Sequence, residues 1–277
     1  MAEKKEVLEK LTDEQMKLIP VVRDEWLNKF LSFQYDGDKA MKLIEYIYEL
    51  SELKMPKVVE CESPMDCQIA ANLWPTEYKD AKERKKAMGK KKVEYVPFSF
   101  YGFSFDYGWC AFYDFFRRIG IVKHEKFEKY LTLIDCNIFL AIYLKDVAFI
   151  SKPPLFMKRD AEGQLHSLEG PALRFEDGYG VYSIHGTRFK GDVFKAIFGP
   201  LGSDADKTEA RDAAVESMPS LSDEQREAVR KGLEELAPKK GQCCEFLKHD
   251  GSCKFHNPKK HRCDTRLDPV PSRGQKE

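Results

Sequence analysis

Residues 147–189 read VAFISKPPLFMKRDAEGQLHSLEGPALRFEDGYGVYSIHGTRF, and the fold turns on this stretch. Val147–Ile150 is a β-branched and aromatic run of strand length. Asp160–Gly163 reads as a turn, and Gly170-Pro171 as a second break. Ala172–Phe175 is then a strand, Asp177-Gly178 the tight turn after it, and Gly180–Ile184 the antiparallel return. Leu173 and Phe175 fall on one face while Val181 and Tyr182 point to opposite faces, as in a half-buried hairpin. Upstream, Ile138–Leu144 forms another short apolar run, so the chain passes here from helices to strands.

Working outward toward the N-terminus, Thr12, Asp13, Glu14 and Gln15 make a capping box that opens a helix. Pro20 interrupts it, and Val21, Val22, Trp26, Leu27, Phe30 and Leu31 continue at helical spacing as a second or kinked helix. Asp38–Leu53 repeats the pattern. Val58-Val59 is a short extended piece, and Ser63 caps a helix that has Pro64 in its first turn. The aromatic, glycine-punctuated stretch Phe98–Trp109 leads into a helix closed by Gly120, and its rings are assigned to the core. The fold class is therefore α+β: a helical N-terminal half packed with a small antiparallel sheet or hairpin, then a helical extension and a small Cys/His metal knuckle at the C-terminus.

The 277 residues carry 46 basic and 46 acidic side chains, with 42% apolar and 33% charged residues, which excludes fibre, collagen and bulk disorder. No run approaches the roughly 18 apolar residues of a membrane helix, and the N-terminal stretch has no apolar signal core. These features place the chain in the cytoplasm and make disulfides unexpected. Cys61, Cys67, Cys110 and Cys136 then read as small buried side chains. Residues 1–198 form the α+β domain, 199–238 a linker with helices, and 239–277 a basic tail rich in Cys and His.

The string LHSLEGPALRFEDGYGVYSIHG resembles the signature LHxxDGPAxxYxDGWxVYxxHG of an uncharacterised bacterial domain family. The shared positions are Leu165, His166, Gly170, Pro171, Ala172, Asp177, Gly178, Val181, Tyr182, His185 and Gly186, and the resemblance extends over about residues 12–190. Glu169 stands where that family has Asp, and nothing after Lys190 follows its pattern. More distantly, the hairpin is similar to MORN-variant repeats, which are mostly interaction modules, although this chain has one copy. The resemblance implies a domain of bacterial or phage type and no particular reaction.

Two chemistries are open. The tail offers Cys243, Cys244, Cys253, His256, His261 and Cys263, thiolates and imidazoles around Asp250-Gly251 and Asn257-Pro258 turns. The preferred structural zinc set is Cys244, Cys253, His256 or His261, and Cys263; an iron–sulfur site or free thiols are the alternatives. Residues 79–92 hold eight Lys or Arg against two acids, and residues 239–277 ten against five. Lys85, Lys86, Lys90, Lys91, Lys92, Lys259, Lys260 and Arg262 are accordingly phosphate-contact candidates, and RNA or single-stranded DNA the expected partner. The rival is a metal-assisted hydrolase or nuclease using His166, Asp177 and His185, with Glu169 nearby; a third reading is a protein–protein adaptor.

Overall fold

The computed structural model describes residues 10–97, 103–199 and 208–236, and the chain divides into two units. One comprises Met1–Lys158 with Pro171–Val181, the other Arg159–Gly170 with Tyr182–Glu277. The tail residues Cys243, Cys244, Cys253, His256, His261, Cys263, Lys259, Lys260 and Arg262 lie outside the described residues.

In the first unit the helices lead. α1 (Asp13–Leu31) starts at the Thr12 capping box and runs unbroken through Pro20, so the expected interruption does not occur. α2 (Gly37–Leu50) is capped by Asp36, whose carboxylate accepts from the Lys39 amide. β1 (Lys57–Cys61) leads to α3 (Pro64–Leu73), where Ser63 caps and Pro64 sits in the first turn, as its fixed φ favours. α4 (Ala81–Met88), α5 (Phe103–Arg118) and α6 (Glu125–Leu133) follow. The strands β2 (Leu140–Tyr143), β3 (Val147–Ser151), β4 (Phe156–Met157), β5 (Leu173–Arg174) and β6 (Gly180–Ile184) come later.

β3 is the central strand of a three-stranded sheet, parallel to β1 and antiparallel to β2. The small antiparallel sheet expected from the sequence is present, with β5 antiparallel to β4 and β6, and the parallel β1–β3 pair is additional to it. The parallel pairing needs a long crossover, and α3 to α6 lie within it. All five residues of β3 are buried, and its alternation serves two cores. Ala148 and Ile150 pack with Leu43, Ile44, Trp26 and Phe115, while Val147 and Phe149 pack with Cys61, Cys67 and Ala70. A strand covered on both faces reads as a continuous apolar run. Cys61, Cys67, Cys110 and Cys136 are buried in these interiors and form no disulfide, as their setting in apolar sequence suggests.

A carboxylate joins α1 to α5. Asp114, 3% exposed, accepts from the Trp26 indole at 3.0 Å, Arg117 Nε at 2.9 Å and Arg118 Nε at 3.1 Å. Burial alone pushes this carboxyl up, but the three donors outweigh it and hold it below the usual carboxylate range. A carboxyl whose folded-state value is depressed contributes stability above its unfolded value of about 3.9 and loses it as pH falls through the folded-state value. Asp114→Asn is therefore expected to lower stability by about 2 kcal/mol at pH 7 and by much less at pH 3. Urea midpoints at the two pH values measure this; an equal loss at both would show that the charge does not matter.

The second unit is built on β7 (Thr187–Phe189), α7 (Gly191–Phe198), α8 (Thr208–Glu216) and α9 (Asp223–Leu236), with the end of β6 paired to β7. Ile184, Phe194, Ile197, Phe198, Val215, Val229 and Leu233 form its core. Ser222 and Gln225 exchange the two capping-box hydrogen bonds that open α9. Among the described residues no helix is long and apolar enough to cross a membrane.

The α+β class with leading helices agrees with the reading of the sequence, but the position given to the metal site does not. Among the described residues, the group of donors able to hold a metal lies mid-chain, at Asp160, His166 and His185, where the sequence reading had looked to the C-terminal Cys/His segment. Dense thiols and imidazoles signal a site when ligands are sequence neighbours. Here a hairpin brings distant donors together.

Candidate metal centre

The site is assembled by turns of the second unit. Asp160 opens a tight loop: its amide donates to the Gln164 carbonyl at 3.0 Å, and its Oδ1 accepts from the Gln164 amide at 2.8 Å. The loop is closed by an antiparallel bridge between Arg159 and Leu165, with Gly163 at φ 81°. The segment after it runs beside β6, with Ser167 donating to the Ser183 carbonyl and Gly186 to the Leu165 carbonyl, both at 3.0 Å. His166 is thereby held next to the β6–β7 turn.

That turn is His185-Gly186, flanked by the Ile184–Thr187 pair. Both residues have positive φ, 42° and 76°, as a two-residue primed hairpin requires. Glycine adopts this readily, whereas a histidine there is uncommon and costs conformational energy. The strained backbone amide is used: it donates to His166 Nδ1 at 3.2 Å. The two imidazoles lie with ring centroids 4.3 Å apart.

Two carboxylates complete the cluster. Asp160 Oδ2 is 2.9 Å from His185 Nδ1. Glu235, in the last turn of α9, places Oε2 3.1 Å from His166 Nε2 and Oε1 2.6 Å from His185 Nε2. The position of Glu235 follows from how α9 docks. Gly232, one turn earlier, lies so close to its neighbours that an added Cβ would stand 2.9 Å from Leu168 Cδ2 and 3.1 Å from Ile184 Cγ2. Only a residue without a side chain lets the helix sit this near, and that depth carries Glu235 to the rings.

One nitrogen from each imidazole and one Asp160 oxygen all lie within 4.8 Å of one another. Metal–ligand bonds of about 2.0–2.2 Å put donors roughly 3.3 Å apart around a tetrahedral ion, so a modest inward movement closes the set. The group is partly buried, with side-chain exposures of 8% for Asp160, 13% for His166 and 18% for His185, against 44% for Glu235. Burial raises the Asp160 carboxyl, but the Gln164 amide and the His185 ring outweigh it and hold it below the usual range, so it is an anion at neutral pH. Two imidazoles and a carboxylate make a donor set able to chelate a divalent ion, and the negative end of α9 adds to the attraction.

The other sequence candidates are placed elsewhere. Asp177 belongs to the first unit, where Oδ1 accepts from the Tyr179 amide at 2.8 Å and Oδ2 from the Ser63 hydroxyl at 2.6 Å. It is a turn residue that ties the hairpin to the cap of α3, and it does not join the histidines. Lys85, Lys86, Lys90, Lys91 and Lys92 are all exposed, on α4 and just after it. Residues 79–92 have more to bury than their composition suggests: Ala81, Arg84 and Met88 form an inward face. Sequence reasoning took Asp160 for turn chemistry alone and did not single out Glu235. The strongest sequence signal for Asp160 was its place at the start of a loop leading straight to His166.

Comparison of the chain with family models, with curated proteins and with solved structures finds no match.

Proposed function

We propose that the chain is a metal-assisted hydrolase whose cation is held by Asp160, His166 and His185. The observation that supports this is the convergence of two imidazoles and one carboxylate from a single loop-and-hairpin segment, with a second carboxylate touching both rings. A divalent cation in such a set supplies Lewis-acid activation of water and of a substrate oxygen. The protein's own contribution is orientation: the His185 amide donates to His166 Nδ1, which fixes the plane of that ring and leaves its Nε2 for the ion. Glu235, more exposed than the other three and not needed for a three-donor set, is the group placed to take a proton from water.

The substrate class to test first is a phosphodiester, because a bound cation can polarise its phosphoryl oxygen and activate the attacking water. Purified protein, dialysed free of loose ions, is expected to retain one divalent cation per chain by elemental analysis. It should hydrolyse bis(p-nitrophenyl) phosphate or a single-stranded oligonucleotide, with activity lost to a chelator and restored by added metal. Protein that retains no metal and shows no metal-dependent turnover sinks the proposal.

A further inference from the structure

A second site lies in the first unit, on helices that take no part in the metal cluster. α5 has two apolar faces. One buries Tyr107, Cys110 and Phe115; the other leaves Trp109 62% exposed, Phe112 51% and Tyr113 43%. The outward rings are ordered against one another: Tyr113 lies 5.6 Å from Phe112 and 5.6 Å from Phe127 of α6, and Trp109 lies 6.1 Å from Phe112. Trp109, Tyr113 and Phe127 wall a groove between α2, α5 and α6 with a volume of about 810 Å³. Small-molecule pockets fall in the range of roughly 300–1,000 Å³ and are mostly apolar with a few polar groups.

Among the described lining residues the permanent charge is that of Lys126. Lys126 and His124 line the groove, and no carboxylate is among its described lining residues. His124 is also the N-cap of α6, and its side chain makes no capping hydrogen bond. The first turn of α6 carries Glu125 and Glu128, which offset the positive end of the helix, so the charge that would meet an anion in the groove is that of Lys126. An apolar trough with aromatic walls and a cationic mouth matches a molecule with an apolar body and an acidic head.

We propose that this groove binds an amphipathic organic acid, a medium-chain or aromatic carboxylate, with its apolar body against Trp109, Tyr113 and Phe127 and its head at Lys126 and His124. A nucleic-acid strand fits less well: stacking sites for single strands track the backbone with many cations, and the described lining of this groove has one, Lys126.

The test uses the full chain, dodecanoate and dodecanol, with calorimetry and Trp fluorescence as readouts. Dodecanoate is expected to bind one per chain and to change Trp109 emission. Lys126→Glu, at an exposed side chain, should weaken dodecanoate about five- to tenfold and leave dodecanol unchanged. Leu50→Glu, at a lining residue 42% exposed, should abolish binding of both. Circular dichroism shows whether each variant is folded, and the two substitutions lie on different helices. Three results would overturn the proposal: no saturable binding, affinity indifferent to both substitutions, or Trp109 emission that answers to oligothymidylate and not to dodecanoate.

Discussion

Asparagine at His185 is expected to reduce retained divalent metal from one equivalent per chain to none, with hydrolysis falling to background. Loss of an outer partner of a metal ligand typically costs 10–100-fold in affinity, and loss of a donor itself costs more. Asparagine is the informative replacement because His185 has φ 42°, a conformation that Asn tolerates and β-branched residues do not. The hairpin should therefore survive, and circular dichroism should match the parent. Glu235→Gln separates roles: metal should stay, while turnover falls by about 10²–10⁴ if this carboxylate is the base. Asp177→Asn is the control, since Asp177 serves Ser63 and the Tyr179 amide and should leave metal content untouched. Metal retained by His185→Asn would remove His185 from the donor set.

Asp66→Ala is expected to destabilise the first unit by about 3–5 kcal/mol, a large share of the 5–15 kcal/mol typical of a folded protein. Asp66 and Arg84 are 1% and 4% exposed, and their side chains meet fork to fork, Nε to Oδ1 at 2.7 Å and Nη2 to Oδ2 at 2.5 Å. The hydrogen bond to Asp66 raises the Arg84 guanidinium further above its usual value, so alanine at 66 strands a full charge in the interior. Asp66 also accepts from the Glu62 amide at 3.0 Å, an additional loss. Replacing both partners, as Asp66→Leu with Arg84→Met, removes the charges together and should recover most of the stability. Urea denaturation of the three proteins measures this; a double variant as unstable as Asp66→Ala would show that the pair contributes net stability beyond mutual neutralisation.

What could be read in the sequence followed from how local the physics is. The starts of α1, α3 and α9 were legible at Thr12, Ser63 and Ser222 because a cap is chemistry within four residues. α7 gave no such notice: its N-cap is Lys190, which makes no side-chain capping bond. The parallel pairing of β1 with β3 joins residues about ninety positions apart, and no local pattern encodes it. The same division holds at the site. His166 and His185 stood out beside Gly-rich turns, and Asp177-Gly178 was correctly read as turn chemistry. Asp160 looked identical to any turn Asp, and Glu235 to any solvent-facing helix residue, because their roles depend on the seating of other segments. The clustered Cys and His of the tail drew the metal assignment because ligands that are sequence neighbours are the ones a local pattern can display, and they lie outside the described residues.

Asp160, His166 and His185 lie within 26 residues of sequence, residues 171–181 of which belong to the first unit, whereas Glu235 comes from a helix whose approach depends on Gly232. Holding an ion and using it are therefore separable by mutation. A larger side chain at 232 presses on Leu168 and Ile184 and so bears on Glu235, while the three donors keep their own turns.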